Sequence, residues 1–192
     1  MAERRRALFL DRDGVINVDH GYVHTRERFD WLPGVFDMAR AARDADLALV
    51  VVTNQAGIAR GLYTTAQFES LTQWMRSCFE AAQAPLAAVY YCPFHHEGLG
   101  TYRVQNHPDR KPNPGMLLRA AADLRLDLAA SIMLGDKLSD VQAARRAGVG
   151  TVCLFGAAPD EPGEADLAVP DHEFMARWLG SATARSRSPA RT

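Results

Sequence analysis

The chain has 192 residues, of which 47% are hydrophobic and 23% are charged, which is typical of one globular domain with a sizeable core. A formal net charge of −1 argues against proteins that bind nucleic acid or an anionic membrane surface through bulk positive charge. No apolar stretch approaches the roughly 18 residues of a membrane-spanning helix. Three widely separated cysteines fit a reducing compartment. We therefore expect a cytoplasmic protein that binds neither membrane nor nucleic acid.

Apolar runs and helical periodicities alternate along the chain. The apolar runs predict five strands, at residues 7–10, 47–52, 87–91, 131–134 and 150–155. Apolar residues at helical spacing predict five helices, at residues 34–45, 65–83, 116–124, 139–147 and 172–179. Thr64 and Ser139 each begin a capping-box pattern. This order predicts an α/β fold in which a mostly parallel central sheet lies between two layers of helices.

Two long segments, 14–31 and 92–110, have almost no periodicity. Loops longer than about 15 residues in a compact domain usually have a function or are disordered. The last residues, 181–192, are rich in Ser, Arg, Ala and Thr and have no apolar pattern, so they predict a disordered tail. We therefore expect a single domain over residues 1–180 with the two segments as insertions.

Polar residues follow three of the predicted strands. Asp11 and Asp13 follow the first strand, Thr53 and Asn54 the second, and Asp136 the fourth. Because ligands bind at the carboxyl ends of parallel strands, we expect these residues to meet at one edge of the sheet. Three carboxylates in one place repel each other unless a divalent cation lies among them, and oxygen ligands favour Mg²⁺.

The same residue types suit phosphoryl transfer. An aspartate beside a metal ion can attack phosphorus and form an acyl phosphate. A second carboxylate two residues later can protonate the leaving alcohol and then accept a proton from water. A threonine hydroxyl, an asparagine amide and a cation such as Lys111 can donate hydrogen bonds to phosphoryl oxygens. Each pair alone is also common in turns, so the prediction depends on their order along successive strands.

Four segments resemble the motifs of the haloacid dehalogenase (HAD) superfamily of phosphatases, at residues 11–15, 53–54, 110–112 and 135–140. Longer stretches at 17–23, 52–61, 90–93 and 110–118 resemble the heptose-bisphosphate phosphatases of that superfamily. The resemblance covers about residues 7–156 and implies a three-layer Rossmann-like fold without a large cap domain. It also implies Mg²⁺-dependent removal of the 7-phosphate of D-glycero-D-manno-heptose 1,7-bisphosphate, a step in making ADP- or GDP-heptose for the lipopolysaccharide core.

The resemblance implies a role for each matching residue. Asp11 would be the nucleophile, Asp13 the general acid and base, and Lys111 the cation that neutralises nucleophile and phosphate. Mg²⁺ would be bound by Asp11, Asp136 and the main-chain carbonyl of Asp13. The substrate, a small phosphorylated sugar, would be bound by Thr53, Asn54, Arg110, Lys137, Asp19 and Tyr22. We also expect a monomer.

The segment 92–110 departs from the family, whose members usually hold a structural zinc ion there through a Cys-Pro-His-His … Cys-x-Cys pattern. Here Phe94 stands at a ligand position, and His107 and Asp109 stand where the two later cysteines would be. Two interpretations remain open. In one, Zn²⁺ is bound by a mixed set of ligands, namely Cys92, His95 or His96, His107 and Asp109. In the other, the metal is lost and packing holds the loop.

Three other functions share part of this pattern. Histidinol-phosphate phosphatases share the motifs closely, but segment 21–23 and Arg110 favour the sugar bisphosphate. Polynucleotide 3′-phosphatases share residues 53–61, but they require a basic face, which the net charge of −1 argues against. A phospho-accepting receiver domain needs no general acid two residues after its acceptor, so Asp13 argues against that class.

Overall fold

The computed structural model describes residues 4–158 and 163–187. Within these residues, six strands form one sheet in the order β3-β2-β1-β4-β5-β6. Every neighbouring pair is parallel. The strands are β1 (Arg6–Leu10), β2 (Leu47–Asn54), β3 (Leu86–Cys92), β4 (Ile132–Gly135), β5 (Thr151–Phe155) and β6 (Leu167–Val169).

Helices connect the strands and cover the sheet on both faces. The α-helices of the described chain are α1 (Val35–Asp44), α2 (Ala56–Ala59), α3 (Thr65–Ala81), α4 (Gly115–Leu124), α5 (Leu138–Ala147) and α6 (His172–Arg187). Short 3₁₀ turns lie at Arg26–Arg28 and Gly100–Tyr102, inside the two aperiodic segments. Among the residues described, no helix is both long enough and apolar enough to cross a membrane.

Strand β1 shows how the sheet divides the core in two. Leu8 and Leu10 belong to the apolar cluster formed with α1, α3 and α6, whereas Ala7 and Phe9 belong to the cluster formed with α4 and α5. Successive side chains of a strand point to opposite faces, and all four of these are fully buried. The continuous apolar run therefore reflects a strand covered on both sides, and the predicted three-layer α/β fold is confirmed.

The two predicted capping boxes had different outcomes. At the start of α3 the box is present, since Thr64 Oγ1 accepts from the Gln67 amide and Gln67 Oε1 accepts from the Thr64 amide. At the start of α5 the prediction of Ser139 as the cap was wrong. The Asp140 carboxylate instead accepts from the main-chain amide of Lys137 at 3.1 Å, so the helix begins one residue earlier.

The C-terminal part of the chain differs from the prediction in two elements. Strand β6 has three residues, too few to produce a recognisable apolar run, and it was not predicted. Helix α6 continues to Arg187, so the prediction of a disordered tail from residue 181 was wrong for this part. After Gly180 no helix-breaking residue occurs before Pro189. The remainder of the predicted tail, 188–192, lies outside the described residues.

Candidate active site

The strand order places the predicted motifs next to one another. Strand β1 lies between β2 and β4, and the Asp11 amide that follows it still donates to the Leu134 carbonyl at 3.1 Å. A cavity of about 500 Å³ opens at this edge. Nine of the predicted site residues line it: Asp11, Asp13, Asp19, Tyr22, Thr53, Asn54, Arg110, Lys111 and Lys137. A larger hollow of about 730 Å³, beside Arg4 and residues 121–129, contains none of them.

Lys111 lies between two buried carboxylates. Its Nζ is 2.9 Å from Asp11 Oδ1 and 2.5 Å from Asp140 Oδ1, and it also donates to the Val52 carbonyl. Burial alone would lower the pKa of Lys111, but the two carboxylates outweigh that effect and raise it above its ordinary value. The side chain is therefore a fixed ammonium beside Asp11.

Asn54 holds Lys111 in place through its main chain. The Asn54 Nδ2 donates to the Lys111 carbonyl, and Asn54 Oδ1 accepts from the Lys111 amide, both at 3.1 Å. The resemblance assigned this side chain to the phosphoryl group. In the structure its carbonyl oxygen and one amide hydrogen are bound to Lys111, so Asn54 joins the end of β2 to the loop that carries the lysine.

Three carboxylates meet at one point of this edge. Asp11, Asp136 and Asp140 each place an oxygen within 4.8 Å of the other two. Burial, and next the Asp11 carboxylate, raise the pKa of Asp136 to about 7, and burial raises the pKa of Asp11. Asp136 Oδ1 is buried without a hydrogen-bond partner. A set of oxygen donors with an unpaired buried oxygen fits a bound Mg²⁺, which would also offset the repulsion.

Gly14 makes room for one of these carboxylates. Its φ is +94°, which is readily adopted by glycine but strained for other residues. A Cβ at this position would lie 2.2 Å from Asp136 Oδ2. The turn after β1 can therefore approach the Asp136 carboxylate only because residue 14 has no side chain.

The Asp13 carboxylate accepts hydrogen bonds from three side chains. Arg12 binds it through Nε at 3.1 Å and Nη2 at 2.9 Å, Asn17 Nδ2 donates at 3.0 Å, and Gln55 Nε2 donates at 3.1 Å. Arg12 is 1% exposed and also donates to the Val23 carbonyl. In an extended strand Arg12 would point away from both aspartates, but the chain turns immediately after β1, so the guanidinium reaches Asp13.

The other predicted substrate ligands surround the cavity mouth. Lys137 Nζ is 2.9 Å from Asp19 Oδ2, which joins segment 14–31 to the start of α5. Arg110 donates to the Phe94 carbonyl at 3.3 Å. Tyr22 is 41% exposed. Two cations and an exposed aromatic ring thus stand where an anionic substrate would enter.

The four residues of the mixed zinc set do not converge. Cys92 Sγ and His107 Nδ1 are 3.9 Å apart, but His107 Nδ1 accepts from the Asp109 amide. The His107 ring stacks on Phe94 with centroids 4.1 Å apart, and Asp109 pairs with Arg119 at 2.7 Å. Burial raises the pKa of the Cys92 thiol.

His95 is also engaged elsewhere. Its Nδ1 accepts from the Glu97 amide at 3.0 Å, and its ring stacks on His96. In the part of the chain that the structure describes, the residue groups with three donor atoms close enough to share an ion are 95–97 and the aspartate cluster. The mixed site of Cys92, His95, His107 and Asp109 is therefore not assembled, because its donors bind protein groups instead.

Sequence reasoning missed Gln55, which is 2% exposed and donates to both Asp13 and Thr53. The available signal was its place directly after the predicted pair Thr53–Asn54, at the end of a buried strand. Arg12 was missed as an Asp13 ligand for a different reason. Its direction depends on the turn geometry, which the residue pattern alone did not predict.

Known proteins share this fold and these motifs. The HAD-hydrolase-like family model matches residues 109–172. A D-glycero-beta-D-manno-heptose-1,7-bisphosphate 7-phosphatase from Escherichia coli (strain K12) is 53% identical over 154 residues, covering 80% of this chain and 81% of that protein. The corresponding alpha-named phosphatase from Burkholderia mallei is 53% identical over 153 residues, covering 79% of this chain and 80% of that protein.

A solved structure gives the same result. The D,D-heptose 1,7-bisphosphate phosphatase from B. bronchiseptica, complexed with magnesium and phosphate, superposes with a TM-score of 0.80 at 29% identity. The alignment covers 92% of this chain and 99% of that one. The motifs, their convergence at the carboxyl edge of the sheet and the extent of these identities show that the chain belongs to the D-glycero-D-manno-heptose-1,7-bisphosphate 7-phosphatase family of HAD-like hydrolases.

Proposed function

We propose that this protein is a magnesium-dependent phosphatase that removes the 7-phosphate from D-glycero-D-manno-heptose 1,7-bisphosphate. The observation that carries the proposal is the buried Asp11–Lys111 pair, 2.9 Å apart, at the carboxyl edge of the sheet in a chain 53% identical to relatives named for this reaction. The product, a heptose 1-phosphate, is suited to nucleotide activation for the lipopolysaccharide core, as the family resemblance implies.

The reaction proceeds in two steps. Asp11 attacks phosphorus, the bond between phosphorus and the C7 oxygen breaks, and an aspartyl phosphate forms. Asp13 donates a proton to the departing oxygen and then removes one from the water that hydrolyses the intermediate. Lys111 stays beside the Asp11 oxygen and balances the charge of the phosphoryl group. Mg²⁺, held by Asp11, Asp136 and the Asp13 carbonyl, would supply further charge compensation.

The outer part of the cavity supports a bisphosphate as substrate. A cavity of about 500 Å³ has room for a sugar with two phosphates. Arg110 and Lys137 line it together with Asp11, so a second anionic group would meet two cations. Asp19 and Tyr22 line the same cavity on the side of segment 14–31, where sugar hydroxyls would contact them.

The test is a comparison of substrates with identification of the product. Phosphate release is measured from both anomers of the heptose bisphosphate, because relatives named for each anomer are equally similar to this chain. Histidinol phosphate serves as the competing substrate. We expect one equivalent of phosphate from the bisphosphate, with the 1-phosphate retained in the ³¹P spectrum. Preference for histidinol phosphate, or release of the 1-phosphate, would contradict the proposal.

A further inference from the structure

Gln55 connects two parts of the site. It follows β2 directly, and its main-chain nitrogen donates to the Cys92 carbonyl at 2.8 Å. Its side-chain Nε2 donates to Asp13 Oδ2 at 3.1 Å and to Thr53 Oγ1 at 2.9 Å. Its Oε1 accepts from the hydroxyl of Tyr63. Gln55 and its three side-chain partners line the cavity, and Gln55 itself is buried.

The Tyr63 hydroxyl helps to determine which end of the Gln55 side-chain amide faces Asp13. A glutamine amide has a donor end and an acceptor end, and rotation by half a turn exchanges them. The Asp13 carboxylate accepts hydrogen bonds, so only the NH₂ end can bind it. The Tyr63 hydroxyl donates to the oxygen end of Gln55, and burial raises the pKa of Tyr63, so the hydroxyl keeps its proton. The NH₂ end is thereby left facing Asp13.

The Tyr63 ring reaches Gln55 through a close approach to the main chain. A Cβ at Gly57 would lie 2.0 Å from the Tyr63 ring, so the glycine opens the space in which the ring lies. On the other side the ring stacks on His24, with centroids 4.8 Å apart and planes 9° apart. Tyr63 is thus fixed by α2 on one side and by segment 14–31 on the other.

We propose that Tyr63, acting through Gln55, is a positioning residue that orients the Asp13 carboxyl toward the leaving oxygen of the substrate. The inference rests on the proposed function in one respect, because it takes Asp13 as the general acid. Arg12 and Asn17 hold Asp13 from its own turn, whereas Gln55 is the ligand from the end of β2. Without the hydroxyl, Gln55 Oε1 becomes a buried acceptor without a partner, which favours rotation of the amide.

The experiment uses two leaving groups. The alkoxide of a sugar needs a proton as it leaves, whereas p-nitrophenolate is stable without one, so general acid catalysis affects only the first. The value of kcat/KM reports the steps through departure of the leaving group. We expect Tyr63→Phe to lower kcat/KM about tenfold for the heptose bisphosphate and less than about twofold for p-nitrophenyl phosphate. A loss of folded enzyme would lower both values equally and leave their ratio unchanged.

A second variant tests whether Tyr63 acts through Gln55. Gln55→Met keeps the length of the side chain but removes both amide groups. We expect the double variant, Tyr63→Phe with Gln55→Met, to have the same kcat/KM for the bisphosphate as Gln55→Met alone. The reason is that the effects of two substitutions are not additive when both residues act through one contact. The matched control is Tyr90→Phe, which removes a hydroxyl bonded to Asp123, outside the residues that line the cavity. We expect Tyr90→Phe to leave kcat/KM unchanged for both substrates.

Equal losses on both substrates, or additive losses in the double variant, would overturn the positioning role. If the wild-type enzyme does not hydrolyse the heptose bisphosphate, the proposed substrate is wrong. The leaving-group comparison is then made with the alkyl phosphate that the enzyme does hydrolyse, and the same two criteria decide it.

Discussion

The carboxyl edge of the sheet and the segment 92–110 are held in place by different interactions. At the edge, buried charges oppose one another: Lys111 lies between Asp11 and Asp140, and each of the three is at most 6% exposed. In the segment, the Phe94 ring stacks on His107 instead. Buried charges depend on each partner being present, whereas stacked side chains tolerate substitution more readily. The residues of the edge are thus constrained by one another, whereas segment 92–110 can be stabilised by different interactions.

The difference has an energetic basis. Burial, followed by the nearby Asp11 carboxylate, raises the pKa of Asp136 to about 7, which means that ionising this third carboxylate is unfavourable unless a cation besides Lys111 is bound. Such a cluster does not contribute to folding stability by itself. Substitution of a carboxylate in this cluster should therefore lower activity without lowering stability, whereas substitutions in segment 92–110 should lower stability.

The largest expected effect is the loss of activity in Asp11→Asn. An amide cannot serve as the nucleophile, so we expect kcat to fall by about 10⁴-fold or more. Stability should not decrease, because Lys111 keeps its ion pair with Asp140 and a neutral amide costs less to bury than a carboxylate. Steady-state kinetics and thermal unfolding measure both quantities. Asp44→Asn, at an exposed carboxylate paired with Arg43, is the control. Activity within tenfold of the wild type would contradict the assignment of Asp11.

The second effect concerns the lysine between the carboxylates. Lys111→Met leaves Asp11 and Asp140 buried without their cation, so we expect a loss of about 3–5 kcal/mol in the free energy of unfolding. Lys137→Met is the matched control, since its ion pair with Asp19 is about half exposed, and it should cost less than about 1 kcal/mol. Urea denaturation measures both. Similar losses for the two lysines would show that burial does not distinguish the pairs.

Much of this edge could be predicted because the parallel-sheet rule depends only on strand order. Asp11, Asp13 and Thr53 line one cavity as expected, and Lys111, which the family resemblance assigned to the site, lines it too. The contacts of Arg12 and Gln55 could not be predicted, because they depend on where the chain turns after β1 and on how one amide is oriented. Strand ends are positioned by the main chain, whereas these contacts are decided by side-chain packing.

Segment 92–110 was less predictable for the same physical reason. Its residue pattern left a mixed zinc site and a metal-free loop as alternatives, and the spacing of donors alone could not decide between them. The outcome depended on whether His107 and Asp109 bind a metal or protein groups. That choice is made by Phe94 and Arg119, which stack and pair with them, and neither residue belongs to a metal motif.

The third prediction concerns the approach of the turn to the metal site. Gly14→Ala places a Cβ 2.2 Å from Asp136 Oδ2, so we expect the carboxylate to move and the Mg²⁺ concentration for half-maximal activity to rise about tenfold. Gly156→Ala is the control, because Gly156 also has positive φ but its Cβ would meet nothing within 4 Å. Both should lose about 1 kcal/mol of stability from backbone strain. An unchanged Mg²⁺ requirement in Gly14→Ala would contradict this account of the glycine.

The fourth prediction concerns the stacked side chains of segment 92–110. Phe94→Ala removes the ring that packs on His107 and Tyr102, so we expect a loss of about 1–2 kcal/mol. Because the Phe94 carbonyl accepts from Arg110, KM for the bisphosphate should rise by about threefold, while kcat changes little. Leu118→Ala, at an exposed apolar residue of α4, is the control. A large fall in kcat would show that the segment acts on the chemistry directly.

The smallest expected effect is the response of the wild-type protein to zinc removal. With Mg²⁺ in excess, a zinc-selective chelator should shift the unfolding temperature by less than about 1 °C, because the loop is held by protein contacts. Purified protein should contain well below one equivalent of zinc by metal analysis. The matched comparison is the triple variant Phe94→His, His107→Cys and Asp109→Cys, which restores the ligand types of the family pattern.

That variant sharpens the contrast between the two regions. Three new donors beside Cys92 complete a set of three thiolates and one imidazole, so we expect the variant to bind about one equivalent of zinc and to lose several degrees of thermal stability on chelation. Removing Phe94 also removes the ring that stacks on residue 107, so the metal and the stack are alternative supports for one loop. A chelator-sensitive wild type would mean that Cys92 and its neighbours rearrange around zinc. The packing contacts would then be those of the metal-free state.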